Sequence, residues 1–175
     1  MKAGLEAIVT RPGLLLPRTI ESRVAYEVGS HFEPHWLDAE STPLLAMTAG
    51  HEISGLRFRT NYEKFIAHWV AMLERSGGLA MHVTRDYLTG AAAANHCKSV
   101  EDLQKISQAV GSGRILVAHG AKDRMVCLHH GAELARDLKA GKYYVSPNSG
   151  HCILWDNEEW MVEKLAAHIV DCMAM

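Results

Sequence analysis

The spacing of apolar residues changes near the middle of the chain. Over residues 1–110 the apolar positions recur at helical intervals, and prolines divide this part into short segments. Over residues 114–172 short continuous apolar runs alternate with helical periods, which is the pattern of a parallel β-α-β-α unit. We therefore predict an α/β fold, with a helical region at 1–110 and a β-α-β-α lobe at 111–175.

Three segments of the helical region have a recognisable start. Thr19 is placed to cap a helix that runs to about residue 28, and Asn61 is placed to cap the clearest helix, which a glycine pair at 77–78 should end. Ser99 begins a segment with the form of a capping box, and apolar residues follow it at helical spacing.

The lobe has two predicted strands, at 114–118 and 142–146, each followed by a predicted helix. The first helix covers about 128–138 and should end at Gly141. The second covers about 157–172, because its apolar residues recur at helical spacing: Val162, Leu165, Ala166, Ile169 and Met173.

Two titratable residues lie just past the predicted strand ends. Asp123 follows the first strand, and His151 follows the second. The carboxyl ends of neighbouring parallel strands meet at one edge of a sheet, so these side chains should come within hydrogen-bonding reach. An aspartate that accepts a hydrogen bond from one imidazole nitrogen fixes the tautomer and leaves the other nitrogen as a base.

These residues also resemble those of a known family. The stretch RILVAHGAKDRMVCLHHGAELARDLKAGKYYVSPNSGHCILWDNEEWMVEKLAAHI is similar to the C-terminal end of an α/β-hydrolase. The resemblance implies that Asp123 is the acid of a catalytic triad and that His151 is its histidine. It also implies that 1–110 is a helical cap, in which RTIESRVAYEVGSHFEPHWLDAES resembles cap segments, and that the substrate is a small ester or related acyl compound.

The chain departs from the family pattern in its nucleophile. The α/β-hydrolase triad runs serine, acid, histidine along the chain, with the serine in a G-x-S-x-G elbow between a strand and a helix. No such elbow precedes Asp123, and no glycine segment suited to an oxyanion hole is found. We therefore expect a truncated hydrolase that lacks the N-terminal nucleophile region and is inactive alone.

Two alternatives of other classes remain open. The first is a non-catalytic pseudoenzyme or interaction module, in which a second copy or another partner covers an exposed sheet face. The second is an unrelated α/β binding domain, in which Asp123 and His151 are incidental. A large separation between those two side chains would favour this second alternative.

Charge and composition exclude several classes of function. The 18 basic and 20 acidic residues give a net charge of −2, which argues against a nucleic-acid-binding protein. No apolar run approaches the length of a membrane span, and no signal peptide is recognisable. Four widely spaced cysteines indicate reduced thiols and a cytoplasmic protein.

We expect neither a metal nor a cofactor, although the chain has 11 histidines. Pro34 interrupts the register between His31 and His35. His129 and His130 are adjacent, so on a helix their side chains should point in different directions. Cys152, next to His151, is expected to be a small buried residue rather than a nucleophile.

Overall fold

The computed structural model describes residues 19–41, 58–75, 92 and 97–175. Helices and a two-stranded parallel sheet make up this part of the chain, in agreement with the predicted α/β class. In chain order the elements are α1 (Ile20–His31), α2 (Pro34–Asp38), α3 (Asn61–Arg75), α4 (Val100–Val110), a 3-10 turn (Ser112–Arg114), β1 (Leu116–Gly120), α5 (Leu128–Asp137), β2 (Lys142–Ser146), α6 (Ile153–Asp156) and α7 (Glu158–Met173).

The helix starts agree with the sequence to within a residue. Ser99 caps α4, since its Oγ accepts a hydrogen bond from the amide of Asp102 at 3.1 Å. The predicted cap at Asn61 is wrong, because Thr60 Oγ1 accepts from the amide of Glu63 at 3.2 Å instead. The Asn61 side chain donates to the carbonyl of Trp36 at 2.9 Å and thereby ties α3 to α2. The predicted glycine stop at 77–78 lies outside the described residues.

The sheet has the predicted parallel order, with Leu116 opposite Lys142 and Gly120 opposite Ser146. Strand β2 has the predicted bounds. Strand β1 begins two residues later than predicted, because Ser112–Arg114 forms the 3-10 turn. Helix α5 has the predicted bounds to within one residue, but Gly141 does not end it, because Lys139 already adopts a positive φ of 50°.

The predicted last helix agrees with α7 to within one residue, and a short helix that was not predicted, α6, precedes it. An apolar stripe at helical spacing ordinarily faces a core. In α7, however, Val162, Leu165 and Ile169 are 51%, 41% and 50% exposed. The buried residue on this helix is His168, which does not belong to the stripe. The described residues therefore leave the apolar stripe of α7 at the surface.

Two hydrophobic clusters hold the described elements together. One surrounds Phe32 and includes Val24, Val28, Leu37 and Trp69, with Trp155 from α6 against it. The other packs Val117 of β1 against Ala135, Leu138, Leu103 and Tyr143. Leu103 of α4 therefore packs against the lobe, although the sequence grouped residues 100–110 with the cap-like region at 1–110.

No disulfide joins the four cysteines, which all lie within the described residues, in agreement with the predicted reduced thiols. Among the described helices, none combines the length and the apolar character that crossing a bilayer requires.

We expect Gly120→Ala to destabilise the protein by about 1–3 kcal/mol, because a Cβ at this position would clash with the backbone carbonyl oxygens of Ser149 and Gly150. The matched control is Gly29→Ala in α1, where an added Cβ meets no atom within 4 Å. This control should stabilise α1 by about 0.5–1 kcal/mol. Urea unfolding measures both changes, and equal effects of the two substitutions would contradict the tight packing at Gly120.

Candidate functional site

The candidate site lies at the carboxyl end of the parallel sheet, where the loops after β1 and β2 meet. The amide of Ala121 donates to the carbonyl of Ser146 at 2.8 Å, and the amide of Lys122 donates to that of Ser149 at 3.0 Å. These bonds extend the contact between the two strands into the loops. Asp123 and His151 consequently lie at the same edge, as the sequence predicts.

The carboxylate of Asp123 is held by four hydrogen-bond donors. Oδ1 accepts from the amides of Met125 and Val126 at 2.7 and 2.9 Å. Oδ2 lies 2.9 Å from Nδ1 of His151 and 3.3 Å from Nε2 of His119. An ionised carboxylate only accepts hydrogen bonds, so both imidazoles donate to it. The predicted contact between Asp123 and His151 is therefore present.

These contacts keep Asp123 ionised in a buried position, where its side chain is only 4% exposed. Burial by itself raises the pKa of this carboxyl. The hydrogen bonds from His119 and His151, with that from the Val126 amide, outweigh the effect of burial and hold the pKa of Asp123 well below its usual range. The site thus has a fixed negative charge next to His151.

His151 is oriented by its backbone as well as by Asp123. Its amide donates to the carbonyl of His31, the last residue of α1, at 2.9 Å. Its side chain is 35% exposed, and its ring meets that of His31 edge-on, with the ring centres 5.7 Å apart. Within the part of the chain that the structure describes, Nε2 of His151 has no hydrogen-bond partner. A neutral His151 that donates through Nδ1 therefore presents an unprotonated Nε2 to solvent.

His119 is a member of the site that the sequence analysis did not identify. Its Nε2 lies 3.0 Å from the carbonyl of Val126, so this nitrogen donates to both Val126 and Asp123. The bond to Asp123 is the main cause of its raised pKa, which burial opposes. Its ring packs directly on Gly131 of α5, where no Cβ fits. The four-residue spacing of His119 and Asp123 is the sequence feature that could have pointed to His119. Spacing alone is not sufficient, because only the turn after β1 brings the two side chains together.

A buried glutamate joins this loop to the helical region. Glu33, between α1 and α2, is 3.5 Å from Nζ of Lys122 and 3.3 Å from the guanidinium of Arg124. Arg124 also donates to the carbonyl of Gly29 at 3.2 Å. Arg124 is therefore anchored to α1, and Lys122 is anchored to the connection between α1 and α2.

An open groove of about 470 Å³ lies along the same part of α1. Its lining is mostly apolar, with Arg124 as its charged residue: Ala25, Tyr26, Gly29, Ser30 and Arg124. Arg124 follows Asp123 directly in the chain, so the groove begins next to the loop that holds the carboxylate.

Cys152 packs against the Phe32 cluster as a partly buried residue. Burial, followed by the charges of Asp156 and Asp123, raises the pKa of its thiol to about 11. A thiol is nucleophilic as the thiolate, which Cys152 does not form near neutral pH. The interpretation of Cys152 as a packing residue agrees with this environment.

The expectation that His129 and His130 diverge is wrong. Their ring centres are 3.9 Å apart, and both rings lie beside Glu133 on the first turns of α5. Nδ1 of His130 is 3.4 Å from the Glu133 carboxylate. The helical angle separates the two Cα–Cβ bonds, but rotation about the side-chain torsions brings the rings together.

Comparison of this chain with models of protein families, with curated proteins and with solved structures found no match.

We expect Asp123→Asn to destabilise the protein by about 1–3 kcal/mol at pH 7, because the charge-assisted bonds from two imidazoles are lost. Because the pKa of Asp123 is lowered in the folded state, its charge stabilises the fold at pH values above about 3.9, the ordinary pKa of aspartate. This stabilisation is lost as the pH falls below that value. The difference between wild type and variant should therefore shrink below about pH 4.

Urea unfolding from pH 7 to about pH 3 measures this difference. Asp102→Asn is the matched control, since that carboxylate is half exposed and forms a surface pair with Lys105. A destabilisation by Asp123→Asn that stays constant over the whole range would show that the carboxylate charge does not stabilise the fold.

Proposed function

We propose that this chain provides the acid and the histidine of an α/β-hydrolase catalytic centre, with His151 as general base and Asp123 as its orienting carboxylate. The substrate class is a small ester or a related acyl compound. The hydrogen bond of 2.9 Å between His151 Nδ1 and Asp123 Oδ2 is the observation on which the proposal depends.

Two further features support the proposal. The two residues follow neighbouring parallel strands in the order acid, then histidine, which is the order of the family. The acid is buried and the histidine is partly exposed, as a base that meets substrate must be.

The chemistry follows from the tautomer that Asp123 imposes. His151 Nε2 takes the proton of an attacking hydroxyl as the new bond to the acyl carbon forms, and Asp123 stabilises the resulting imidazolium. The imidazolium then returns the proton to the leaving alkoxide as the carbon–oxygen bond breaks. The same nitrogen thus serves as base and then as acid, and Asp123 remains ionised throughout.

The nucleophile is the part that this proposal assigns to another segment or chain. Among the described residues no hydroxyl or thiol is hydrogen-bonded to Nε2 of His151. Within the same residues, β1 pairs with β2 alone, so its other edge is available to a further strand. A strand added there would end at the same sheet edge as Asp123 and His151, where a nucleophile elbow belongs.

We expect nitrogen NMR at alkaline pH to show that His151 is protonated at Nδ1 in the wild type and at Nε2 in Asp123→Asn. The asparagine amide donates to Nδ1, so the proton must move to the other nitrogen.

We also expect the chain to hydrolyse nitrophenyl acetate no faster than His151→Ala, because a base without a positioned nucleophile accelerates the reaction little.

The matched control is His35→Ala, which removes an exposed imidazole from α2 and should alter neither measurement. An Nε2–H tautomer in the wild type would exclude His151 as general base. Ester turnover that is present in the wild type and abolished in His151→Ala would instead show that the chain holds a working nucleophile.

A second candidate function is that of a non-catalytic interaction module. The observation that favours it is the apolar stripe of α7, where Val162, Leu165, Ile169 and Met173 are all exposed. A contiguous exposed stripe of this kind is typical of a surface that another protein covers. A second copy of the chain is the simplest such partner.

If a second copy covers this stripe, the melting temperature should rise with protein concentration, because association stabilises the folded state. Leu165→Asp should abolish the concentration dependence, since a charge would be buried in the interface. Glu159→Gln, at an exposed position of the same helix, is the control and should leave it unchanged. A wild-type melting temperature that is independent of concentration would exclude self-association through this stripe.

A further inference from the structure

We propose that His129, His130 and Glu133 form a binding site for a divalent transition-metal ion, of which Zn²⁺ is the representative. The site lies on the first turns of α5 and is separate from the pair formed by Asp123 and His151. The proposal is independent of the proposed hydrolase function.

The geometry of the three side chains suits one metal ion. Each residue offers one ligand atom, and the three atoms all lie within 4.8 Å of one another. Around a tetrahedral zinc with bonds of about 2.0–2.1 Å, neighbouring ligand atoms are about 3.3–3.4 Å apart. The distance of 3.4 Å between His130 Nδ1 and Glu133 Oε2 matches that separation. Small rotations of His129 and Glu133, which are both exposed, would complete the set.

The local backbone makes the arrangement possible. Glu133 is three residues after His130 and four after His129, so it shares a helix face with both. The side chain of His130 is only 12% exposed, and it forms the fixed member of the set. His129 and Glu133 extend into solvent and leave room for water ligands to complete the coordination.

A surface ion pair is the competing explanation. A pair between protonated His130 and Glu133 accounts for the 3.4 Å distance, but not for a second imidazole 3.9 Å from the first. A metal ion engages both rings as neutral ligands together with the carboxylate.

The chemistry of the donors selects the metal. Two imidazoles with one carboxylate suit zinc, copper or nickel, whereas magnesium and calcium prefer sets made only of oxygen. The helix dipole disfavours a cation at the first turn of α5, and the negative charge of Glu133 offsets this effect. These opposing contributions point to a site of moderate affinity.

Titration of the full chain with Zn²⁺ against a chromophoric chelator, under reducing conditions, tests the proposal. The wild type should bind one zinc ion at this site, and both His129→Ala and Glu133→Gln should weaken that affinity at least about tenfold. His35→Ala and Cys127→Ser are the matched controls, since each removes an exposed donor outside the set, and both should bind as the wild type does. Mg²⁺ should not compete.

Circular dichroism verifies that the variants fold, which is expected because both altered side chains are exposed. Co²⁺ should give absorption bands without a thiolate charge-transfer band, since no cysteine belongs to the set. Unchanged zinc affinity in both His129→Ala and Glu133→Gln would overturn the proposal. A thiolate band that disappears in Cys127→Ser would overturn it as well, because the metal would then be bound by another set of ligands.

Discussion

The backbone contact between the loops after β1 and β2 is the constraint on which the candidate site depends. Gly120 lies so close to the Ser149 and Gly150 carbonyls that no side chain fits. Two hydrogen bonds from backbone amides also join the loops beyond the strands. Parallel pairing alone brings two loops to one edge of a sheet. The close approach of the backbone at Gly120 brings the two loops nearer still, so that the side chains of Asp123 and His151 are within hydrogen-bonding distance.

Electrostatics then follow from that contact. Burying the Asp123 carboxylate carries a cost, and two backbone amides and two imidazoles offset it. Its neighbours Lys122 and Arg124 form ion pairs with the buried Glu33. The carbonyl of His31 accepts a hydrogen bond from the amide of His151. The helical region therefore contributes to the site through its backbone and one carboxylate. Packing of Trp155 against the Phe32 cluster joins the same two parts through apolar contacts.

Several parts of this architecture could be predicted because they depend on local sequence. The parallel order of β1 and β2, the bounds of β2, the Ser99 cap and the contact between Asp123 and His151 are all present. The role of His119 could not be predicted, because it requires the turn after β1 to bring its ring to the carboxylate. The short helix α6 was also missed, since its four residues are too few to show a helical apolar period.

By itself the sequence determined the periods of its elements, the approximate positions of the strands and the residues that follow them, because these depend on backbone preference and short-range spacing. Only the tertiary structure decided which apolar residues are covered and that His119 joins the pair of Asp123 and His151. The stripe of α7 has helical spacing yet is exposed among the described residues, and adjacent imidazoles of α5 lie side by side. Burial and side-chain torsions depend on neighbours that are distant in the chain, and periodicity contains no information about those neighbours.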